Sequence, residues 1–119
     1  MTTQEILEAA RAAKTVVALA SSETRTHALW AMSDWLCHLE NMEAILAANA
    51  EDMAAAKGHI SDVMLDRLAL TPSRLTDMAK GMREVAALPD PVGAVLRKIV
   101  RPNGLLIEKT AVPMGVIAI

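Results

Sequence analysis

The sequence predicts a mostly α-helical chain that continues into a β-hairpin and a last apolar strand. Three observations support this prediction. Apolar residues recur at helical spacing through about the first two-thirds of the chain, Asn103-Gly104 marks a hairpin turn, and the sequence closes with "GVIAI". Because "GVIAI" has no polar face, it is typical of a strand that is buried on both sides in a parallel sheet.

Composition narrows the class of protein. The chain has 119 residues, of which 53% are hydrophobic, so a single domain with its own core is expected. The net charge of -2 gives no general attraction to nucleic acid or to anionic membranes. No secretory signal and no run of about 20 apolar residues is visible. A lone cysteine fits a reducing compartment, and we therefore expect a soluble, cytoplasmic protein.

The first helix is predicted to begin at Thr2, because Thr2 and Glu5 have the spacing of a capping box. The segment "SSET" (21–24) ends this helix and offers a new N-cap. Helical spacing then continues through residues 41–57 until Gly58. Two apolar stripes mark these helices: Ile6, Ala9, Ala10, Ala13, Val16, Val17 and Ala20 in the first, and Leu29, Met32, Leu36 and Leu39, with Trp35 beside them, in the second.

Two more helices are predicted before the β-structure. A short helix at 62–68 is capped by Ser61 or Asp62, and a longer one has Thr71 as its N-cap and Pro72 in its first position. "PDPVG" (89–93) ends the helical part. The residues predicted to form the buried face of the longer helix are Leu75, Met78, Ala79, Met82, Val85 and Ala86.

The segments "VLRKIV" and "LLIEKTAV" flank "RPNG", which predicts a hairpin whose tight turn requires positive φ at Asn103-Gly104. Strict alternation places Val95, Arg97 and Ile99 on one face and Leu96, Lys98 and Val100 on the other. Since both faces mix apolar and charged side chains, the hairpin is interpreted as an arm that needs a partner. Pro113 and Gly115 separate it from the last strand.

Few residues suggest chemistry. Cys37-His38 is the only adjacent thiol and imidazole, but neighbours on a helix point about 100° apart, so Cys37 is interpreted as a small buried hydrophobe. His27, His38 and His59 lack metal-ligand spacing. Glu51, Asp52 and Lys57 are interpreted as a solvated helix face, and the isolated Gly93, Gly104 and Gly115 do not form a phosphate-binding loop.

No catalytic, cofactor-binding or metal-binding residue is therefore assigned. Two non-enzymatic alternatives stay open. The helix at 62–68, the helix from Pro72 and the hairpin with Arg97, Lys98 and Arg101 follow the order of a winged helix-turn-helix that binds DNA. Acidic residues among the candidate recognition residues weaken this reading. The chain also fits a stand-alone helical scaffolding module.

Three blocks resemble a known family. "ILAANAEDMAAAK", "MLDRLALTPSRLTDMAKGMREVAALPDPVG" and "PNGLLIEKTAVPMGVIAI" resemble the N-terminal part of γ-glutamyl phosphate reductase, also called glutamate-5-semialdehyde dehydrogenase. The combination of "LDRL-LT--R", "DPVG" and "VP-GVI-I" is specific, although no single block is. The resemblance runs in order from about residue 6 to the last residue and is weakest in the first helix.

The resemblance implies an α/β parent fold of the aldehyde dehydrogenase superfamily, with a Rossmann-type nucleotide-binding domain. Residues 1–93 would be the helical N-terminal part of that domain. Residues 94–112 would be a β-hairpin arm used in homo-oligomer contacts, and residues 113–119 the first strand of the parallel sheet. The remainder of the reductase chain is then the expected partner, and no nucleic acid or membrane partner is expected.

The resemblance also implies an activity for the longer protein. Such reductases convert L-glutamyl 5-phosphate and NADPH to L-glutamate 5-semialdehyde and phosphate in proline biosynthesis, through a cysteine thioester. Their nucleophile lies far downstream, so the role is not transferred to Cys37. We expect the segment alone to be inactive, to bind NADPH at most weakly, and to self-associate through its uncovered apolar strand.

Overall fold

The structure, a computed structural model, describes residues 2–117. These residues form helices followed by a hairpin, in the predicted order. The elements are α1 (Thr3–Leu19), α2 (Ser22–Cys37), α3 (Leu39–Ala56), α4 (Asp62–Leu68), α5 (Pro72–Ala86), β1 (Val95–Val100) and β2 (Leu106–Thr110). They divide into two compact units, which are described separately. The terminal unit contains residues 2–25 and 88–117, and the helical unit contains residues 26–87.

In the terminal unit, α1 begins with the predicted capping box. The Thr2 backbone N–H donates to Glu5 Oε2 at 2.6 Å, and the Glu5 N–H donates to Thr2 Oγ1 at 3.3 Å. These two bonds satisfy N–H groups that the first helical turn leaves without partners. α1 buries none of its residues, and Val16 and Val17 of its apolar stripe are 72% and 57% exposed.

The β-hairpin is antiparallel, and every residue of both strands is exposed to some extent, with Ile99 at 37%. A bulge lies between Val95 and Arg97, because these two residues pair with the consecutive residues Thr110 and Lys109. The predicted strict alternation from Val95 is therefore wrong at Leu96, the extra residue, and holds only from Arg97 onward.

The hairpin turn also differs from the prediction. Of its residues only Gly104 has positive φ, at 84°, and Asn103 does not. The Gly104 N–H donates to the carbonyl of Arg101, and the Arg101 N–H donates to the carbonyl of Leu105, both at 2.9 Å. The loop is thus three residues long, with Pro102 at its start and glycine at its end, where L-residues are strained.

Residues 111–117 follow the hairpin without forming a strand in the described part of the chain. Ala111 is nevertheless fixed, because its carbonyl accepts from the Gly93 N–H at 3.0 Å and its N–H donates to the Ala94 carbonyl at 2.9 Å. The predicted strand at 113–119 includes residues 118 and 119, which lie outside the described residues. Since a strand requires hydrogen-bonded neighbours, it stays a prediction for the longer protein.

In the helical unit, α3 packs against both α4 and α5. Ser61 caps α4, and Thr71 caps α5 with Pro72 at its start, both as predicted. The helical break at His38, whose φ and ψ are -68° and 130°, separates α2 from α3. Leu39 therefore begins α3 and is 67% exposed, so its predicted place in the second stripe is wrong.

The core of the helical unit is small. Leu75 and Ala79 of α5 are each 1% exposed, as predicted. Met78 and Val85 are 48% and 55% exposed, so their predicted burial is wrong. Periodicity had placed all four on one face of α5, but the described residues of this unit cover only part of that face. Predicted burial of Met82 and Ala86 is only partly met, since both are half-buried.

Candidate functional site

The densest polar cluster of the terminal unit surrounds Arg25, near the start of α2. Its guanidinium donates from Nε at 3.1 Å and from Nη2 to Oδ2 of Asp90. From Nη1 it donates to the carbonyls of Val17, at 3.5 Å, and Ala20. The second Asp90 oxygen, Oδ1, accepts from the Val92 N–H at 2.9 Å. We call these five residues the Arg25 junction.

The Arg25 junction offsets charge and joins distant segments. Arg25 and Asp90 side chains are 23% and 20% exposed, so solvent only partly screens their attraction. Arg25 also supplies the positive charge that the last turn of α1 lacks, where a cation interacts favourably with the helix dipole. Because its opposite charges are paired, the cluster is suited to holding backbone segments in place.

The carboxylate of Asp90 is stabilised in its charged form. The pKa of Asp90 is lowered, first by the hydrogen bonds from Arg25 and then by the Val92 N–H, while burial acts weakly in the opposite direction. Donors to an ionised carboxylate favour that form over the protonated acid. Asp90 therefore stays ionised in the neutral pH range, where its negative charge is paired with the guanidinium of Arg25.

A mainly apolar groove of about 470 Å³ lies beside the junction in the terminal unit. Its walls come from α1 and from the segment after the hairpin. The lining residues are Ala10, Ala13, Lys14, Val17, Ala18, Arg25, Val92, Pro113, Met114, Gly115 and Val116. Gly115 has φ of 93°, and a Cβ there would lie 3.1 Å from Lys14 Cε. The segment after the hairpin therefore lies alongside α1, and the two line the groove together.

A second polar cluster lies in the helical unit and joins α2 to α5. Ser33 is 0% exposed, and its Oγ donates to the Ala79 carbonyl at 3.0 Å and accepts from Arg83 Nε at 2.8 Å. Arg83 also pairs with Asp34 at 2.7 Å and lies 5.2 Å above the ring of Trp30. The small Ser33 and Ala79 side chains let the two helices approach closely.

Asn49 of α3 performs a similar task between α3 and the α4–α5 connection. This side chain is 8% exposed; its Nδ2 donates to the Leu68 carbonyl at 3.0 Å and its Oδ1 accepts from the Leu70 N–H at 2.7 Å. It thereby satisfies two backbone groups that a helix end leaves unpaired. The function of this amide is structural.

The helical unit also exposes an apolar patch along α2 and α5, which bounds a shallow groove of about 480 Å³. Met32, Trp35 and Met78 of this patch are 48%, 55% and 48% exposed. Its remaining members are Ala31, Leu36 and Met82. Exposed apolar surface of this kind marks an interaction site in many proteins, although the patch carries no polar group suited to chemistry.

The sequence-derived candidates do not come together as a site. Cys37 is exposed at the end of α2, so the interpretation of this thiol as a buried hydrophobe is wrong. That interpretation rested on residue type, whereas burial requires something packed over the helix end. His38 precedes α3 and makes no side-chain capping bond.

The acidic and metal-ligating candidates are equally dispersed. Glu51, Asp52 and Lys57 are exposed, as expected of a solvated helix face. Within residues 2–117, no group of three or more His, Cys, Asp and Glu side chains is arranged to hold a metal ion. In the same range no helix is long and apolar enough to cross a membrane.

Sequence reasoning missed the residues that organise both units. Arg25 and Asp90 are 65 positions apart, and Ser33 and Arg83 are 50 apart, so neither local spacing nor helical periodicity connects them. A partial signal existed at Asp90, because Asp followed by Pro often bonds the backbone two residues later, as it does with Val92.

Comparison with known proteins supplies what the geometry does not. Gamma-glutamyl phosphate reductases of Streptococcus pneumoniae strains Hungary19A-6 and 70585 are each 55% identical to the chain over 116 residues. This match covers 98% of the chain but only 27% of each relative's length. The resemblance to a segment of this enzyme is confirmed. No family model matches the chain.

Solved structures of the same enzyme share the fold. The crystal structure of gamma-glutamyl phosphate reductase from Thermotoga maritima matches with a TM-score of 0.82 and 32% identity, covering 92% of this chain and 26% of that one. The enzyme from Saccharomyces cerevisiae matches with a TM-score of 0.80 and 34% identity, covering 95% of this chain and 29% of that one. The helices and hairpin therefore correspond to a part of that larger fold.

Proposed function

We propose that this chain is the N-terminal segment of a γ-glutamyl phosphate reductase and contributes to the framework of that enzyme. The observation that carries the proposal is 55% identity over 98% of the chain. The same match covers only 27% of the relative, so the chain corresponds to a segment of a longer enzyme. The agreement in fold with two solved reductases, at TM-scores of 0.82 and 0.80, supports it independently.

The longer protein would reduce L-glutamyl 5-phosphate to L-glutamate 5-semialdehyde in cytoplasmic proline biosynthesis. A cysteine thiolate outside this chain would attack the acyl carbon and release phosphate, which leaves the glutamyl group as a thioester. NADPH would supply the hydride that reduces this thioester, with release of the aldehyde and recovery of the thiolate. Each turnover thus consumes one acyl phosphate and one hydride.

The described residues do not fit NADPH by themselves, so no catalytic step is assigned to them. A dinucleotide site needs clustered glycines before a helix N-terminus, whereas the positive-φ glycines here are isolated. Of the two cationic residues that line the groove beside the Arg25 junction, Lys14 and Arg25, the second already binds Asp90 and two carbonyls. We therefore expect the segment alone to be inactive.

Each part of the chain then has a framework role. Residues 1–93 would form the helical N-terminal part of the nucleotide-binding domain, residues 94–112 an arm that contacts another copy, and residues 113–119 the first strand of its sheet. The exposure of β1 and β2 supports the arm, because unpaired strand edges bind further strands. The exposed stripe of α1 supports packing against the remainder of the enzyme.

The decisive experiment is an assay of the full-length protein that contains this chain. Because acyl phosphates hydrolyse readily, the reverse reaction is convenient: L-glutamate 5-semialdehyde, phosphate and NADP⁺ should give NADPH absorbance at 340 nm. Omission of phosphate should abolish the signal, since phosphate is the acyl acceptor. An active protein that ignores phosphate, or a protein without any such activity, would contradict the proposal.

Two measurements on the chain alone separate the alternatives. We expect no DNA binding, because Lys98 of the hairpin pairs with Glu108 at 2.6 Å and the net charge is -2. Tight DNA binding that weakens as salt rises would favour the winged helix-turn-helix instead. We expect sedimentation to show concentration-dependent self-association, because apolar surface stays uncovered. A monomer at all concentrations would contradict that expectation.

A further inference from the structure

Hydrogen bonds connect the end of α1 to the segment that follows the hairpin. Arg25 binds the α1 carbonyls of Val17 and Ala20 on one side and Asp90 on the other. Asp90 binds the Val92 N–H, and the next residue, Gly93, donates to the Ala111 carbonyl at 3.0 Å. The path therefore begins at a helix and ends at residue 111, where the chain leaves the hairpin.

The same segment touches α1 a second time. Pro113, Met114 and Val116 line the groove together with Ala13 and Val17 of α1. At Gly115 the backbone comes so close that a Cβ would lie 3.1 Å from Lys14. Since apolar contacts alone do not fix direction, the directional bonds at Ala111 decide the position from which residues 112–117 continue.

We propose that Arg25 and Asp90 are positioning residues that set the direction in which residues 111–117 enter the rest of the enzyme. The inference rests on the proposed function, in which these residues lead into the first strand of the nucleotide-binding sheet. The planar guanidinium is essential, because it donates to Asp90 and to the α1 carbonyls at once. A misplaced first strand would weaken NADPH binding more than it slows the chemical step.

The test compares two substitutions in the full-length protein. Asp90→Asn removes the charge at constant shape, and Arg25→Lys keeps a positive charge but loses the planar fork. Asp34→Asn is the matched control, since it removes the same kind of carboxylate from the exposed pair with Arg83 in the helical unit. Two readouts are needed: amide hydrogen exchange, and the separate kcat and KM for NADPH.

We expect each substitution at the junction to speed exchange of the Gly93 and Ala111 amides by about tenfold or more, with the Leu75 amide unchanged. The KM for NADPH should rise several-fold with kcat nearly constant. Asp34→Asn should change neither quantity. Substitution effects spread equally over all amides would mark a general loss of stability and overturn positioning.

The two proposals fail in different ways. An active wild-type enzyme whose Asp90→Asn and Arg25→Lys variants keep both their exchange rates and their KM would overturn positioning and leave the reductase proposal standing. Faster exchange with unchanged KM would show a local anchor and overturn its effect on cofactor binding. An inactive wild type would contradict the reductase function, and the positioning role that depends on it would fall as well.

Discussion

Each of the two units is stabilised internally in a different way. All four buried residues of the described chain, Ser33, Asn49, Leu75 and Ala79, lie in the helical unit. The terminal unit has no buried residue, and its parts are joined by the Arg25 junction and by the hairpin ladder. One unit has a small core, and the other depends on directional polar bonds.

This difference explains why the terminal unit leaves large apolar side chains exposed. Polar bonds fix position but contribute little net free energy, about 1 kcal/mol each, whereas burial is the main favourable term in folding. The terminal unit therefore keeps its geometry while leaving apolar side chains such as Leu19 and Met114, 82% and 87% exposed, without cover. Under the proposed function, these side chains would pack against the remainder of the reductase.

The largest effect on stability is expected at Leu75, in the core of the helical unit. Leu75→Ala should lower the free energy of unfolding of the helical unit by about 2–5 kcal/mol, because it leaves a cavity at a 1% exposed site. Trp30 and Trp35 are the only aromatic residues, so fluorescence during urea unfolding reports on the helical unit alone.

Val85→Ala is the matched control for Leu75→Ala. Val85 lies on the same helix but is 55% exposed, so its truncation should change stability little. Equal effects of both substitutions would mean that α5 does not bury Leu75 while exposing Val85.

A smaller effect is expected at Asn49. Asn49→Ala leaves the Leu68 carbonyl and the Leu70 N–H without their partner, which should cost about 1–3 kcal/mol in the same urea experiment. Glu51→Ala, on the exposed side of α3, should have no measurable effect. An equally large loss of stability for Glu51→Ala would show that the Asn49 hydrogen bonds to Leu68 and Leu70 do not cause the effect.

The Arg25 junction should weaken in acid. The lowered pKa of Asp90 means that its charged form stabilises the fold fully above the ordinary aspartate value of about 3.9. This contribution is lost as the pH falls through the folded pKa. The protection factor of the Ala111 amide should therefore fall as the pH drops below about 4, and Asp90→Asn should flatten that dependence. An unchanged dependence in the variant would exclude Asp90 as the titrating group.

The smallest expected effects lie in the hairpin. Lys98 faces Glu108 across the ladder in a pair that is 62% and 34% exposed, so Lys98→Ala should cost only about 0.2–1 kcal/mol. Lys109 faces Arg97, a like charge, and Lys109→Ala should be neutral or stabilising. Exchange of the Arg101 amide, which closes the turn, measures both. The same sign for both substitutions would contradict the register.

Sequence reasoning succeeded where the cause is local. The caps at Thr2, Ser61 and Thr71 were predicted because each cap bonds the residue three positions further along the chain. Residue type and periodicity failed for Cys37 and Met78, because periodicity shows which residues share a face, and the cover of that face comes from elsewhere. No rule of spacing links Arg25 to Asp90, which only the fold brings together.

The same locality limits what the sequence says about the site. The resemblance to γ-glutamyl phosphate reductase was visible in short blocks such as "DPVG", and the comparisons confirmed it. Within that block only the bond from Asp90 to Val92 had a local signal, since the charged partner Arg25 precedes the block by more than half the chain. Sequence blocks such as "DPVG" thus pointed to the relatives, whereas the structure was needed to show that Asp90 binds Arg25.

The two ion pairs of the terminal unit differ in whether they can be inverted. Lys98 and Glu108 pair across an exposed ladder, so exchanging the two residues preserves the pair. Exchanging Arg25 and Asp90 would place a carboxylate against the Val17 and Ala20 carbonyls at the negative end of α1. Reversing the polarity of the hairpin pair would therefore keep its attraction, whereas reversing the junction would lose its hydrogen bonds to the end of α1.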